Sequence, residues 1–384
     1  MKIASFDIFV VDVPFRRALG HSAAKRSASE SVFVKCTTDQ GAFGYGECLP
    51  RTYVTGEDQD STYTNLKEHL LPRLIGREFA SFEEVWTFLD DCDGKAPDGW
   101  LGFDVPQSSA WCAVDLALLD AFGRAFGQSV FTPEANDRLA SLRYSGVLPY
   151  ESGNRLVKLA LLFRLYGLRR VKVKVGRKCD LAVLKKIRTL LGKKADIRVD
   201  ANMAWTAEYA AQVMQEMARL GVNCFEQPLP AEALDETAWL IQQTGLVVMA
   251  DESLSDRRSL DRLIEKKAFN AINVRISKCG GLAAALRRCR QARDAGLAIQ
   301  VGCQVGETSL LSAAQLALCA RFEGVSYLEG CFGRHLLKED VAAPVLEFGY
   351  GGRPPRVPSG PGFGVHIDED RLRRWSTKTH RIGA

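Results

Sequence analysis

The sequence predicts an α/β protein, a (β/α)7β TIM-like barrel that carries an N-terminal α+β capping domain. Short runs rich in valine and isoleucine recur along the second part of the chain, with helical patterns between them. A polar residue ends nearly every run, and the ends fall near Lys174, Asp200, Glu226, Asp251 and Arg275. The spacings of 26, 26, 25 and 24 residues fit one strand plus one crossover helix.

Residues 131–344 are assigned to the barrel. The segments "LRYSGVLPY", "LAIQVG" and "VSYLEG" complete a set of eight strand candidates. The first two helices after the lysine-rich strand have apolar faces formed by Leu181, Leu184, Ile187 and Leu191 and by Ala210, Val213, Met214 and Met217. A doubly wound open sheet is the competing architecture, but no G-x-G-x-x-G follows its first strand. In a barrel, the polar strand ends converge on one mouth, where active sites lie.

Residues 1–130 are expected to form the capping domain, completed by residues 345–384. Strand-like runs cover 3–13, 31–37 and 43–48, and helical patterns follow near 62–72 and 110–126. The stretch "RALGHSAAKRSASES" is too polar for a core and too long for a hairpin, so we expect a lid there.

Composition excludes several classes of protein. The net charge of +5 comes from 51 basic and 46 acidic residues without a long basic tract, so we expect no nucleic-acid partner. No apolar run reaches 18 residues, and Asp7 and Asp12 interrupt the N-terminal run, so neither a membrane span nor a signal peptide is expected. Eleven cysteines without a C-x-x-C pair favour a reduced, cytoplasmic location.

Three successive strands end in carboxylates, at Asp200, Glu226 and Asp251. Neighbouring strands lie roughly 4.8 Å apart, so acids at equivalent heights would repel one another unless a cation stood between them. Mg²⁺ takes oxygen ligands and keeps positions open for substrate, whereas the lack of histidine and cysteine disfavours zinc. The alternative is that each acid caps the following helix.

The strand "VKVKVG" places Lys172 and Lys174 on one face, because side chains alternate along a strand. If Asp200 faces the barrel interior, both lysines can face inward beside it. Their repulsion, on the order of 2 kcal/mol at an effective dielectric constant of about 20, would allow one of them to be neutral near pH 7 and act as a general base. The alternative is an exposed edge strand with solvated lysines.

The segments "VKVKVG", "RVDANMAW", "FEQPLP" and "MADES", in this order and spacing, resemble the enolase superfamily and its muconate-lactonizing and dipeptide-epimerase-like branch. "GYGECLPRTYVTGE" and "GFGVHIDEDRL" extend the resemblance over almost the whole chain. It implies Mg²⁺ held by Asp200, Glu226 and Asp251. It also implies that Lys174 removes the proton next to a substrate carboxylate, that Lys172 assists, and that the metal stabilises the resulting enediolate. Homo-oligomerisation is expected from the same resemblance.

The chain departs from this branch at the sixth barrel strand. The usual pattern N-x-K reads "INVRISKCGG" here, so Arg275 stands where relatives carry a second catalytic lysine. Arginine is effectively never neutral, so it cannot serve as a second base, although it can hold a carboxylate. If the strand is shifted in register, Lys278 occupies that position instead.

Other polar residues are candidates at the mouth. By the resemblance, Glu307 matches a glutamate that assists protonation, although the chain has an extra glycine before it. The segment "YLEG" offers only Glu329 where dipeptide epimerases carry Asp-x-Asp, which disfavours a dipeptide substrate. Gln304, Tyr53, His21 and Glu329 are candidates for substrate binding, Glu329 through recognition of a substrate ammonium group, and Cys303 is expected to be a packing residue.

The sequence thus predicts a Mg²⁺-dependent enzyme that removes the α-proton of a small-molecule carboxylate substrate. One lysine base favours elimination or cycloisomerisation, because epimerisation ordinarily needs a base on each face. Two alternatives remain open: an epimerase or racemase of an amino-acid derivative or dipeptide, and a barrel that binds a carboxylate without turnover.

Overall fold

A computed structural model describes residues 1–20, 25–100, 106–149, 154–178 and 181–383. Within these ranges, no helix combines the length and the apolar character needed to cross a membrane. The ten cysteines that fall in them are all free thiols, and nine are buried.

The strands are Ile3–Val11 (β1), Pro14–Gly20 (β2), Lys25–Ala28 (β3), Ser31–Thr38 (β4), Phe43–Cys48 (β5), Gly146–Leu148 (β6), Arg170–Lys174 (β7), Asp196–Asp200 (β8), Val222–Glu226 (β9), Val248–Ala250 (β10), Ala271–Val274 (β11), Ala298–Val301 (β12), Val325–Leu328 (β13), Ala342–Ala343 (β14), His366–Ile367 (β15) and Ser376–Gly383 (β16). The α-helices are Thr52–Thr55 (α1), Gln59–Thr64 (α2), Phe82–Cys92 (α3), Ser108–Ala125 (α4), Ala135–Ala140 (α5), Asn154–Leu165 (α6), Leu181–Leu191 (α7), Ala207–Arg219 (α8), Leu234–Thr244 (α9), Arg257–Lys266 (α10), Ile276–Cys279 (α11), Leu282–Asp294 (α12), Ser309–Arg321 (α13), Gly333–Leu336 (α14) and Glu369–Arg374 (α15). A π-helical turn at Asn65–Leu70 and 3-10 turns at Leu71–Arg73 and Tyr350–Gly352 complete the helical segments.

Eight parallel strands, β6 to β13, form one sheet in chain order, which confirms the predicted barrel architecture over a doubly wound sheet. A parallel bridge between Tyr144 and Leu328 joins the first strand to the last. The Ser145 N–H reinforces that closure by donating to the Leu328 carbonyl at 2.8 Å. Strand ends match the sequence pattern, since β7, β8 and β9 end on the predicted polar residues. The carboxyl ends of the strands therefore share one mouth.

The helices between the strands cover the barrel with the predicted apolar faces. In α8, the residues Ala210, Val213, Met214 and Met217 are buried. Thr206 caps this helix by accepting a hydrogen bond from the Tyr209 N–H, and an acidic residue lies in the first turn, as helix N-termini favour. In α7, Leu184 and Ile187 are buried.

The capping sheet has the antiparallel order β16-β1-β4-β5 and packs on α4. The last strand of the chain therefore lies beside the first. Gly46 allows β5 and α4 to approach closely, because a Cβ atom there would lie 1.9 Å from the Ala113 carbonyl oxygen. The helix α4 is buried along almost its whole length, from Ser109 to Gly123, since it lies between the capping sheet and the barrel.

The expectation that residues 17–31 are too long for a hairpin was wrong. Strands β2 and β3 pair antiparallel, with Pro14 opposite Ala28 and Leu19 opposite Arg26, so much of the stretch lies in the two strands. Alternating side chains let one face of such a hairpin stay polar, which explains its composition. His21 lies outside the described residues.

Candidate active site

The strand register sets the predicted acids and lysines side by side at the mouth. Lys174 on β7 pairs with Asp200 on β8, which pairs in turn with Glu226 on β9. The row one pleat below contains Lys172 and Arg198. Since side chains two residues apart share a face of the sheet, both rows point into the barrel.

Lys172 is held in the barrel interior by carboxylates, with only 4% of its surface exposed. Its Nζ lies 3.2 Å from both carboxylate oxygens of Glu226, 2.6 Å from Glu329 and 3.7 Å from Asp200. Burial by itself would lower the pKa of this ammonium, but the three carboxylates outweigh burial and raise it above its ordinary value. The predicted repulsion between the lysines therefore does not neutralise Lys172.

Lys174 stands at the open end of the same face, with 16% of its side chain exposed. The Nζ of Lys174 donates to Asn202 Oδ1 at 3.0 Å and lies 3.1 Å from Asp200 Oδ2. Burial alone would raise the pKa of Asp200, but the ammonium groups of Lys174 and Lys172 lower it below its ordinary value. Lys174 is thus the lysine of this pair that a substrate can reach more readily.

Asp251 follows β10 directly and is clamped between two cations of the sixth strand region. Lys278 donates to Asp251 Oδ1 at 3.0 Å and to the Asp251 carbonyl at 2.7 Å, and Arg275 contacts Oδ2. Burial opposes ionisation of Asp251, but Arg275 and Lys278 hold the pKa of Asp251 well below its usual range. Arg275 also donates to Gln304 Oε1 at 2.9 Å and lies 3.9 Å from Glu226.

Lys278 does not occupy the open mouth position. The chain turns into α11 at Ile276, which directs Lys278 into the interior, where it is completely buried. A third hydrogen bond, to the Asn273 carbonyl at 2.8 Å, fixes its ammonium group. Arg275 is the residue that extends from the end of β11 toward the mouth, in the extended backbone conformation that precedes α11.

Neutral donors complete the surroundings of Glu226. The side-chain amide of Asn273 donates to Oε1 at 2.9 Å, and Gln300 donates to Oε2 at 3.3 Å. With Lys172 these groups fix both oxygens of a carboxylate that is fully buried. The hydrogen bonds and the ammonium group compensate only in part for the lost water, and burial raises the pKa of Glu226 to about 7 although Lys172 lowers it.

The residues at the mouth fit a divalent cation in donor chemistry. The predicted ligands are carboxylate oxygens, which Mg²⁺ prefers. In addition, Glu252 Oε2 is buried and has no hydrogen-bond partner among the described residues, and burial with the charges of Asp251 and Asp200 raises the pKa of Glu252 to about 8. Within the described ranges no three acidic, histidine or cysteine side chains form a preassembled metal centre. Lysine and arginine side chains contact the acids instead.

Glu329 lies below the mouth and not on its surface. One of its oxygens accepts from Arg198 Nη2 at 2.5 Å, and the other faces Lys172. Arg198 is completely buried and stacks over the Tyr327 ring, with its guanidinium carbon 3.9 Å from the ring centroid. The expectation that Glu329 could bind a substrate ammonium is therefore not supported, because its charge is already paired twice.

Glu307 and its neighbours form the loop after β12. Glu307 is buried and accepts a hydrogen bond from the Gln304 N–H at 2.5 Å, and burial raises its pKa to about 8. Gln304 is the member of this loop that contacts Arg275. Burial also raises the pKa of the Cys303 thiol well above its ordinary value, as expected of a packing residue. Tyr53 lies in α1 and is half-buried.

Sequence reasoning missed four residues that shape the mouth: Asn202, Asn273, Gln300 and Arg198. Each contacts a lysine, a carboxylate or both. Arg198 carried a usable signal, because it lies two residues before Asp200 on the same strand face, as Lys172 does before Lys174.

The barrel, the strand-end acids and the lysine pair together define an enzyme of the enolase type. Residues 5–132 match the mandelate racemase / muconate lactonizing enzyme N-terminal domain, and residues 155–371 match the enolase C-terminal domain-like family. The protein belongs to this family of the enolase superfamily, whose members related to it are racemases, epimerases and cycloisomerases.

Individual relatives cover almost the whole chain. An N-succinyl-L-Arg/Lys racemase from Bacillus cereus is 28% identical over 376 residues, 97% of each chain, and its crystal structure superimposes with a TM-score of 0.86 over 100% of both chains at 27% identity. A chloromuconate cycloisomerase from Cupriavidus necator is 28% identical over 384 residues, 98% of this chain and 99% of that one. A dipeptide epimerase from Cytophaga hutchinsonii, crystallised with Mg and a dipeptide, shares the fold with a TM-score of 0.85 at 22% identity over 100% of both chains.

Proposed function

We propose that this protein is a Mg²⁺-dependent enzyme that removes the α-proton of a carboxylate substrate, with Lys174 as its single base. The observation that carries the proposal is the asymmetry of the mouth. A partly exposed lysine lies on one side, and an arginine, Arg275, lies at the end of the strand where a second lysine base is expected. The outcome that fits one base is elimination or cycloisomerisation.

Each basic residue of the mouth would have a different role in such a reaction. The Nζ of Lys174, once neutral, would accept the α-proton and could return it to the same face of the carbanion. Lys172 is locked in place by three carboxylates and supplies fixed positive charge below the reacting carbon. Arg275 keeps its charge at every relevant pH, so it can stabilise negative charge but cannot take a proton.

Asp200, Glu226 and Asp251 would hold the divalent cation. Bound there, Mg²⁺ would supply positive charge to the carboxylate group of the substrate. Support comes from the all-oxygen donor set and from the buried Oε2 of Glu252, which has no hydrogen-bond partner among the described residues. Asn202, Asn273 and Gln300 would keep the acids and Lys174 oriented.

The second candidate is an epimerase or racemase, favoured by the relatives that carry these names. Glu329 argues against a substrate with a free ammonium group at its position, because Arg198 and Lys172 already neutralise it. An N-acylated amino acid avoids that difficulty, as in the substrate named for the Bacillus cereus relative. The third candidate, a binder without turnover, requires Lys174 to be idle.

Incubation with carboxylate libraries in D₂O and Mg²⁺, followed by NMR and chiral chromatography, separates these candidates. The proposal predicts deuterium at the α-carbon with retained configuration, or loss of a leaving group or ring closure. Inverted product would support the epimerase, and absence of exchange and turnover across the library would support the binder. Lys178→Ala, which removes an exposed lysine just beyond β7, serves as the matched control for Lys174→Ala.

A further inference from the structure

Both oxygens of Asp251 are already in contact with cations. Lys278 lies 3.0 Å from Oδ1, and the guanidinium of Arg275 contacts Oδ2. A divalent cation that uses Asp251 as a ligand needs at least one of these oxygens. A guanidinium or ammonium group at the same oxygen repels a divalent cation, so metal binding favours withdrawal of one of these two side chains.

Lys278 is unable to withdraw without large cost. Its ammonium is completely buried and makes three contacts, to Asp251 Oδ1 and to the carbonyls of Asp251 and Asn273. Moving it would leave these acceptors unpaired in the interior, and an unpaired buried charge is strongly unfavourable. Lys278 thus behaves as a fixed part of the barrel wall.

Arg275 has the opposite properties. About 12% of its side chain is exposed at the mouth, and a second acceptor, Gln304 Oε1, already holds its Nη1 at 2.9 Å. Its Nε is buried and has no hydrogen-bond partner among the described residues, so the guanidinium keeps a free donor. Arg275 can therefore leave Asp251 and remain hydrogen-bonded.

We infer that the guanidinium of Arg275 competes with the divalent cation for Asp251 and so sets the metal affinity of the site. When the metal binds, Arg275 moves off Oδ2, keeps its contact with Gln304 and presents its free donor to an anionic substrate group. This inference rests on the proposed function, since it takes the three mouth acids as the metal ligands. It makes the sixth-strand arginine a positioning residue that regulates the site.

Titration of the purified full-length protein with Mn²⁺, followed by calorimetry and by the EPR signal of free Mn²⁺, tests this inference without any turnover. Arg275→Gln should bind Mn²⁺ at least tenfold more tightly than wild type, equivalent to about 1.4 kcal/mol. Arg275→Lys should lie between the two, because lysine keeps the charge but lacks the planar fork. Arg262→Gln, which removes an exposed arginine paired with Glu232, is the control and should bind as wild type does.

A double-mutant cycle tests whether the change in Mn²⁺ affinity arises from the contact between Arg275 and Asp251. The gain from Arg275→Gln should disappear in the background of Asp251→Asn, with melting temperatures measured for every variant to exclude unfolding. Equal or weaker Mn²⁺ binding by Arg275→Gln would overturn the inference. So would an additive cycle, because it would show that the contact with Asp251 does not contribute to the change in Mn²⁺ affinity.

The result can be separated from the fate of the proposed function. Mn²⁺ binding to wild type and to Arg275→Gln is measured without substrate, so the gain in affinity does not depend on which reaction the protein catalyses. If that gain is present while no carboxylate exchanges its α-proton, the proposed reaction fails and the competition stands. If exchange is found but Arg275→Gln leaves Mn²⁺ binding unchanged, the competition alone fails.

Discussion

Two sets of three buried carboxylates are held in opposite ways in this protein. The mouth acids, Asp200, Glu226 and Asp251, contact lysine and arginine side chains. A second set, which we call the capping acids, consists of Glu47, Glu57 and Asp115 and lies in the capping domain. The described donors to the capping acids are all neutral N–H and O–H groups.

Each capping acid accepts hydrogen bonds from residues at the start of a helix to which the acid itself does not belong. Glu47 accepts from Thr308 at the start of α13, Glu57 from Ser109 and Ala110 at the start of α4, and Asp115 from Leu282 at the start of α12. Helix N-termini favour negative charge, but these donors compensate only in part for the loss of water. Burial therefore raises the pKa of Glu47 to about 8 and those of Glu57 and Asp115 to about 7.

The difference shows which buried acids are available for chemistry. A capping acid takes up a proton near neutral pH, because its neutral partners do not fully offset the effect of burial. Asp200 and Asp251 are kept ionised by cations that lower their pKa values, and a divalent cation can replace such partners. Burial raises the pKa of Glu226 as well, to about 7, so contact with lysine and arginine side chains, and not burial, separates the mouth acids from the capping acids.

The largest expected effect comes from removing the base of the mouth. Lys174→Ala should reduce α-proton exchange by about 10²–10⁴-fold, the usual contribution of a general base. Its melting temperature should stay close to that of wild type, since Lys174 is partly exposed. NMR detection of deuterium incorporation measures the rate, with Lys178→Ala as control. A similar loss in Lys178→Ala would contradict the assignment of the base to Lys174.

Replacing Lys278, the buried lysine that contacts Asp251, tests how much this side chain contributes to stability. Lys278→Met should lower the free energy of unfolding by about 3–5 kcal/mol, because it leaves Asp251 and two carbonyls short of a buried partner. Urea denaturation measures the change, and Lys194→Met, on an exposed lysine, provides the comparison. If both variants unfolded at the same urea concentration, Lys278 would not be the anchor described above.

The capping acids predict a characteristic pH dependence of stability. The folded state holds a proton on Glu57 up to about pH 7, whereas the unfolded chain releases it near pH 4.3, so stability falls as pH rises through this interval, by on the order of 3 kcal/mol. Asp200 and Asp251 act in the opposite sense, and their contribution is lost as pH falls below about 4.

The urea concentration at the midpoint of unfolding, determined between pH 5 and 8, measures the fall in stability caused by the capping acids. Glu57→Gln should make the fall in stability shallower but not abolish it, because the amide cannot titrate whereas Glu47 and Asp115 still can; Glu208→Gln, on an exposed glutamate of α8, should leave it unchanged. An identical slope in wild type and Glu57→Gln would show that the proton on Glu57 does not contribute.

The smallest expected effect tests the difference between Lys174 and Arg275, which lie on the two sides of the mouth. Arg275→Lys places a titratable amine where the chain has a permanent cation, so a small fraction of inverted product should appear from any substrate that wild type exchanges with retention. Chiral chromatography of the product after prolonged incubation measures this fraction. Continued retention in the variant would mean that position 275 does not face the reacting carbon.

Much of this site could be predicted from the sequence because its geometry follows from strand periodicity. Alternation within one strand and register with the next strand determine the positions of four residues, Lys172, Lys174, Asp200 and Glu226. Both can be inferred from the spacing of the strand ends. The barrel followed from the same repeat. The family resemblance then suggested roles that composition alone does not.

Other features depended on contacts that no local pattern encodes. Glu329 meets Arg198 across the closed barrel, 131 residues away in sequence, so its neutralisation was not visible in "YLEG". The choice between Arg275 and Lys278 depended on α11 beginning one residue after Arg275. The polarity of residues 17–31 does not exclude a hairpin, because alternating side chains let one face of a strand pair stay polar.

The pairing of β16 with β1 has a consequence for how the protein is made. Ser5 lies opposite Gly383, so β1 receives its outer neighbour only after the ribosome has completed the whole barrel that lies between the two strands in the chain. Until then, the edge of β1 presents unpaired backbone groups that can recruit other nascent chains. Deletion of β16 should therefore cause aggregation even though every residue of the mouth is present.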